Sequence, residues 1–439
     1  MLCYEPEIKI ALLQNYKEAR LNLKGSFLFS GNQTISGDII VTVRKGELAL
    51  CDPAGLEIAR GKSIGLSAQN KAVFTLSDVK IGIDFHWQRS QEQSFRGNIF
   101  LAVASDSSFN LISEINLEDY LESVISSEMS AEAPLEFLKA QAIVARSWLV
   151  AMLEKKKIAR SNTASKTENE ILVWQDVNDH EGFDVCADDH CQRYQGITRI
   201  ISDNVRAAIE ATRGLFLVSG KEICDARYYK ACGGQTEIFS TAWEDKSPDY
   251  LQSVTDSIQQ HPPIASESDA EYWLSGRPQA YCDTTDKELL GKILPAFDQE
   301  TLAFYRWQII YSRQELEAII RKKSGIDFGE LQNITALSRG PSGRIYKLRI
   351  EGSKRTVIVG KELEIRRWLS GSHLMSSAFV VSNISETDGS VKSFTLTGGG
   401  WGHGVGMCQI GAAVMASKGF NTEEILAHYF TGANLKKLY

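Results

Sequence analysis

The spacing of apolar residues changes once along the chain, near Leu117, and that change limits the fold more than any other feature. Before it, apolar and polar residues alternate in Ile39–Leu50, Ala72–Phe85 and Gly97–Val103, with turn signals at Gly31-Asn32 and Pro53-Ala54-Gly55. Alternation marks half-buried strands, so residues 1–108 read as a β-rich accessory region. After it, Leu135, Leu138, Ala142, Ala145, Leu149 and Met152 recur at helical spacing behind Pro134, which suits a first helical turn. A helix is predicted from Pro134 to about Leu153, with a shorter one at Leu121–Met129.

The polar run Glu154–Asn169 reads as a loop. Beyond it, strands are predicted at Leu215–Val218, Ala226–Lys230, Ile345–Ile350, Thr356–Val359 and Phe394–Thr397. Helices are predicted at Gln314–Lys322, Leu363–Trp368, Gln409–Ser417 and Thr422–His428, and residues 270–335 read as mixed helix and loop. The fold class is therefore α+β: a β-rich N-terminal region followed by a mixed helix/strand catalytic domain with an inserted segment. The core is expected over 109–260 and 336–439, with an inserted helix/loop subdomain over 261–335. A chain of 439 residues has room for this division.

Composition removes several function classes. With 43% hydrophobic and 23% charged residues the chain is an ordinary globular one. A net charge of −7 supplies no field for gripping nucleic acid. No stretch approaches the roughly 18 apolar residues that cross a bilayer, and Glu5, Glu7 and Lys9 interrupt any apolar leader core near the start. That start leaves a cytoplasmic location open. Eight cysteines spread over the chain do not make a disulfide-stapled miniature fold. Cys3 reads as an incidental thiol, and spacing leaves open whether Cys224 pairs with Cys232.

The segment GGGWGHGVGMCQIGAA concentrates glycines from Gly398 to Gly411. Such density serves backbone that approaches something closely or turns through positive φ. It matches neither the Rossmann nor the P-loop pattern, so no nucleotide or organic cofactor is expected. The loop presents His403, and with it Gln409, either to a cleft or, for the histidine, to a helix end or a neighbouring group.

A second concentration lies at His180, Cys186, His190 and Cys191. This short window is enriched roughly tenfold over an even spread of histidine and cysteine. Two thiolates and two imidazoles suit tetrahedral zinc with no open position, hence a structural ion. The rival reading is an oxidised or idle Cys186/Cys191 pair.

Three blocks resemble the sporulation stage II protein D family, also called the SpoIID/LytB domain. The first runs from Leu117 to Trp148 and holds Tyr120, Leu121, Glu128, Met129, Leu138, Lys139, Ala140, Gln141, Ala142 and Arg146. The second joins Thr212–Gly214 to Cys232, Gly233, Gly234 and Thr236, then to Tyr250-Leu251. The third is Gly402 to Met407 with Gln409, Gly411 and Ala412. The resemblance covers about residues 110–439. It departs at Ser130, where the family often has proline.

The resemblance implies a cell-envelope protein acting on peptidoglycan glycan strands, with some relatives carrying zinc in a stretch like 180–191. It implies a lytic transglycosylase or, alternatively, a non-catalytic enhancer of a cell-wall amidase. Glu128 becomes the candidate acid and base, against the plainer reading of a solvated helix residue. Lys139, Gln141, Arg146, His403 and Gln409 become candidate substrate-binding residues. One carboxylate suffices for such chemistry, because the sugar's own 6-hydroxyl replaces water. A well-oriented tethered nucleophile has an effective concentration of roughly 10⁵ M or more.

Overall fold

The computed structural model describes residues 4–29, 33–82, 89–156, 164–174, 180–188, 190–200, 202–262, 264, 266–299, 301 and 303–439. Cys3 and the predicted Gly31-Asn32 turn lie outside them. The chain forms two compact units. The first comprises Met1–Arg146, Asp179–Leu215 and Lys437–Tyr439, the second Ser147–Asn178 and Phe216–Lys436. Strands dominate the N-terminal region and helices and strands mix after it, so the α+β class holds.

The first unit is built on an 11-stranded sheet. Its strands Glu7–Tyr16, Ser108–Asn116 and Asn98–Ser105 run antiparallel in sequence, with Ile8 opposite Ile115 and Leu111 opposite Leu101. Ile8, Ile10, Leu111 and Leu101 are buried, as alternation requires of a sheet with one face on the core. The alternating run Ile39–Leu50 is a hairpin rather than one strand. Gln33–Arg44 and Glu47–Cys51 pair across Lys45-Gly46, whose φ values of 53° and 75° give the twist a tight antiparallel turn needs. A short strand, Val185–Cys186, joins the sheet edge parallel to Glu7–Tyr16, with Cys186 beside Ala11.

Two helices follow the sheet. Helix α1 (Leu117–Glu128) has Glu118 and Asp119 in its first turn, where carboxylates favour the positive end of the helix, and buries Leu117, Tyr120, Leu121, Val124 and Ile125. It stops because Met129 is extended, at φ −132° and ψ 174°. Ser130 then makes the turn itself: its hydroxyl accepts from Glu132 N at 3.2 Å and its carbonyl from Ala133 N at 3.2 Å. A serine turn thus follows the helix, closed by the hydroxyl and the carbonyl of one residue. Helix α2 (Leu135–Lys156) follows Pro134, whose carbonyl accepts from Leu138 N. It is buried around most of its circumference from Phe137 to Val150, which marks an interior helix rather than a surface one.

A ladder of rings ties the sheet to α1. Phe27 meets Phe74 at 6.4 Å, Phe74 stacks on Phe95 at 5.5 Å, Phe95 on Tyr194 at 5.9 Å, and Tyr194 on Tyr120 at 5.2 Å. Each such pair contributes about 0.5–1.5 kcal/mol beyond its buried area.

The second unit holds a five-stranded sheet that includes Leu331–Arg339, Ile345–Gly352 and Thr356–Gly360, and a three-stranded sheet of Arg306–Ser312, Val391–Gly399 and Phe379–Ser385. Trp307, Leu316, Leu348, Trp368, Phe379 and Phe394 share one core. The strand Arg306–Ser312 lies in a segment that reads as helix and loop. It is paired along its length with Val391–Gly399, Arg306 opposite Gly399 and Ser312 opposite Ser393. Among the described residues no helix is long and apolar enough to cross a membrane.

Candidate functional site

Glu128 closes α1 and is partly buried. Its Oε1 accepts the backbone N–H of Arg193 at 2.8 Å. That N–H belongs to a segment fastened to α1 and α2 at several points. Tyr120 Oη donates to Gln192 Oε1 at 3.1 Å, Gln192 Nε2 to the Ala145 carbonyl at 3.2 Å, and Gln195 N to Ser123 Oγ at 3.2 Å. Gln192, Arg193, Tyr194 and Gln195 are all buried. Tyr120 feels the consequence: burial, then the charges of Cys191, Cys186 and Glu128, drive its hydroxyl well above the ordinary tyrosine range. It stays a neutral donor.

The segment begins at the histidine–cysteine window, whose four residues converge. The ligand atoms of His180, Cys186, His190 and Cys191 all lie within 4.8 Å of one another. His180 Nε2 is 3.1 Å from Cys191 Sγ, and His190 Nδ1 is 3.5 Å from Cys191 Sγ and 4.0 Å from Cys186 Sγ. Zinc bonded to two sulfurs and two imidazole nitrogens places those atoms about 3.3–3.8 Å apart. The donor set suits that ion, and the separations of 3.1–4.0 Å straddle its range. Cys186 and Cys191 are free thiols, and hydrogen bonding by Cys191, then by His180 and His190, outweighs burial and pulls the Cys186 thiol far below its ordinary value. Ala11, Ile112 and Phe183 wall the cluster on its apolar side.

The other expected site residues meet different fates. Lys139 is partly exposed and pairs with Glu136 at 2.7 Å, one turn away on α2. Gln141 is completely buried on α2. Arg146, expected among the substrate-binding residues, is also fully buried. Its Nε and Nη2 donate to the two oxygens of Glu118 at 3.0 and 2.6 Å, and Nη1 donates to the Leu215 carbonyl at 3.1 Å. Glu118 Oε1 also accepts from Gly214 N at 3.2 Å and Tyr439 Oη at 2.6 Å. Arg146 and Thr212–Gly214, drawn from two separate sequence blocks, therefore meet on one buried carboxylate. They are scaffold.

His403 and Gln409 belong to the second unit. Gln409 opens the helix Gln409–Ser417 and is 2% exposed, so it does not line an open surface. His403 is set edge-on between Tyr229 and Trp243, at ring distances of 5.3 and 4.9 Å. Its Nδ1 accepts from Val405 N at 3.1 Å, which uses that nitrogen inside its own loop. Burial first, then the positive charges of Arg227, Arg344 and Arg366, hold the imidazole well below its ordinary value. It is neutral at pH 7.

The object that the glycine loop approaches is Arg344. This buried guanidinium donates to the carbonyls of Gly402 at 3.0 Å and Cys232 at 3.1 Å, and to Ser342 Oγ at 3.0 Å. Gly404 sits at φ +86°, and a Cβ there would lie 2.5 Å from the guanidinium carbon. Beside it, Glu237 N donates to the Gly404 carbonyl at 2.7 Å, while the Glu237 carboxylate accepts from Ser342 Oγ at 2.6 Å and Ile238 N at 2.8 Å. Neither Arg344 nor Glu237 stands out in the sequence.

The sequence blocks and this geometry define a protein built around a SpoIID-type domain. Residues 105–218 match the family model described as Stage II sporulation protein, SpoIID, and belong to that domain family. Residues 237–406 match a second model described only as a domain of unknown function, DUF8618. Stage II sporulation protein D of Bacillus amyloliquefaciens is 24% identical over 327 residues, covering 74% of this chain and 76% of the relative. The protein of the same description from Bacillus subtilis is 25% identical over 328 residues, with 74% and 76% covered. A Bacillus subtilis protein described as an amidase enhancer is 26% identical over 329 residues, which is 72% of this chain but 40% of the relative.

Proposed function

We propose that the protein acts in the cell envelope on peptidoglycan as a lytic transglycosylase, with Glu128 as general acid and then base. The supporting observation is the fixed carboxylate: one oxygen of Glu128 is held by Arg193 N–H, in a segment pinned to both helices. Glu128 donates a proton to the glycosidic oxygen as the anomeric carbon gains oxocarbenium character. It then takes the proton of the muramyl 6-hydroxyl as that oxygen closes on the anomeric carbon, leaving a 1,6-anhydro end. Proton transfer by one positioned side chain supplies about 10²–10⁴-fold, and orientation supplies more.

His180, Cys186, His190 and Cys191 hold a structural zinc in this reading. The ion supplies a cross-link, since four protein ligands fill its tetrahedron and leave no place for an activated water. Cys191 and Arg193 are two residues apart, so fixing the first fixes the N–H that holds Glu128. This is the outer-sphere form of metal control.

Purified protein incubated with glycan strands, peptide-bearing and peptide-free, is expected to release fragments with 1,6-anhydromuramyl ends, read by mass spectrometry. A second reading comes from the similarity to the amidase enhancer. If wild type leaves strands uncut but increases the rate of a cell-wall amidase added to the same sacculi, the protein is a non-catalytic partner and the transglycosylase reading fails.

A further inference from the structure

The second unit gathers three cysteines and an aspartate from four distant points of the chain. The ligand atoms of Cys232, Asp256, Cys282 and Cys408 all lie within 4.8 Å of one another, a span that fits one ion. All four residues are buried, at 2%, 0%, 2% and 0% exposure. We propose that they form a second metal site, taking one zinc ion in a tetrahedron of three thiolates and one carboxylate.

The carboxylate is the strongest argument. Asp256 accepts from Cys282 N at 2.9 Å and from Tyr429 Oη at 2.5 Å, both neutral donors. Beyond these two donors the side chain faces the three thiols, whose sulfurs and one of its oxygens all lie within 4.8 Å of one another. Each carboxylate oxygen that accepts one hydrogen bond keeps a further lone pair for an ion.

The sulfurs are set up as ligands too. Cys232 N donates to Cys408 Sγ at 3.2 Å and Gly234 N donates to Cys232 Sγ at 3.2 Å. Backbone N–H groups aimed at sulfur are the outer partners that metal-bound cysteines take. Cys408 also caps the N-terminus of the helix Gln409–Ser417, where the helix dipole favours negative charge. Gly411 on that helix leaves the space the aspartate needs: a Cβ there would lie 2.3 Å from Asp256 Oδ1 and 2.4 Å from Tyr429 Oη.

A disulfide explains less. Cys232 and Cys282 sulfurs are 3.4 Å apart, against about 2.05 Å in a bond; three thiolates around zinc sit about 3.8 Å apart. Pairing Cys232 with Cys282 would also make no use of the Cys408 thiol and the Asp256 carboxylate, which the fold brings to the same point. Cys224, whose pairing with Cys232 the spacing leaves open, is a free buried thiol, as are the three cysteines of the cluster. Soft sulfur donors with one hard oxygen select zinc over magnesium or calcium.

The test is zinc content of the full chain, purified under reducing conditions and reloaded with zinc chloride alone. Wild type is expected to hold about two zinc ions per chain with both tetrahedral sites filled. Asp256→Asn or Cys408→Ser is expected to lose one, as is the double variant His190→Ala/Cys191→Ala in the other cluster. Combining the two sets removes both, so failure of either site is seen separately. Zinc K-edge absorption of the His190→Ala/Cys191→Ala protein is expected to show about three sulfurs and one oxygen per ion. A folded Cys408→Ser chain that keeps all the wild-type zinc overturns the proposal. So does a Cys232–Cys282 disulfide found by peptide mapping of the zinc-loaded wild type, a measurement that needs no variant to fold.

Discussion

The backbone N–H of Arg193 meets the carboxylate of Glu128 at 2.8 Å, and it does so two residues after Cys191, the last member of the His180–Cys191 cluster. The position of a single acidic side chain is thereby tied to a loop whose shape depends on four converging histidines and cysteines. The proposed mechanism depends on such placement, because one carboxylate must serve first as acid and then as base.

Glu128→Gln keeps the Arg193 hydrogen bond, since an amide oxygen also accepts, but cannot deliver a proton. Release of 1,6-anhydro ends is expected to fall by about 10²–10⁴-fold, with the thermal midpoint unchanged. Retention of full activity with normal folding would reassign the acid.

Cys191→Ala is expected to loosen the segment that follows it. Amide hydrogen exchange should accelerate at Arg193 and Gln195 and stay unchanged at buried amides of the distant hairpin Gln33–Cys51, such as Val41. Activity should drop along with protection at Arg193. Unchanged protection there would separate the cluster from Glu128.

Arg146→Ala removes the guanidinium from the buried Glu118 carboxylate and leaves it, among the described residues, Gly214 N–H and Tyr439 O–H. Breaking a buried ion pair from one side costs about 3–5 kcal/mol. Urea unfolding is expected to show that loss in midpoint and slope-derived free energy. A change below 1 kcal/mol, on the scale of about 0.2–1 kcal/mol for exposed pairs, would contradict the buried ion pair.

His403 gives a pH dependence of definite sign. Its folded value is depressed by burial and by Arg227, Arg344 and Arg366, so the unfolded chain binds the proton first as pH falls. Its contribution is complete above the ordinary histidine value of about 6.5 and is lost progressively below it. His428, depressed by burial, acts in the same direction. The urea midpoint of wild type should therefore fall more steeply between pH 7 and 5 than that of His403→Gln. Parallel curves would contradict the neutral, enclosed imidazole.

Gly404→Ala places a methyl against the Arg344 guanidinium in a backbone conformation with φ +86°. Arg344 is held by carbonyls and Ser342 and has no room to retreat. Overpacking of this kind costs about 1–3 kcal/mol, with the left-handed backbone adding to it, measurable as a lowered thermal midpoint.

The sequence carried the elements whose signals are local. Gln409–Ser417 is a helix over the predicted bounds, and the His180–Cys191 window could be read as one site because its ligands lie close together in the chain. What it hid depends on long-range closure. The hairpin turn at Lys45-Gly46 interrupts what looks like one alternating run, because both strands continue the same period. Arg306–Ser312 falls in a segment that reads as helix and loop, and its strand is defined by its partner, Val391–Gly399. Cys232, Asp256, Cys282 and Cys408 share no spacing, and only the fold brings them together. Arg146 and Gln141 carry polar chemistry typical of a surface, and nothing local marks them as buried. Arg193 contributes a backbone N–H, for which no side-chain type is a signal. The polar run from Gln192 to Gln195, directly after Cys191, was the one available hint.

The chain passes from one compact unit to the other after Arg146, Asn178, Leu215 and Lys436, and the first of these passages falls inside helix α2. Neither unit is therefore a continuous stretch of gene. No single breakpoint separates them, and a recombination event that transplanted residues 105–218 alone would deliver part of one unit and a fragment of the other. A library of truncations is therefore expected to yield insoluble pieces, read as lost soluble yield, where a beads-on-a-string protein would yield working modules.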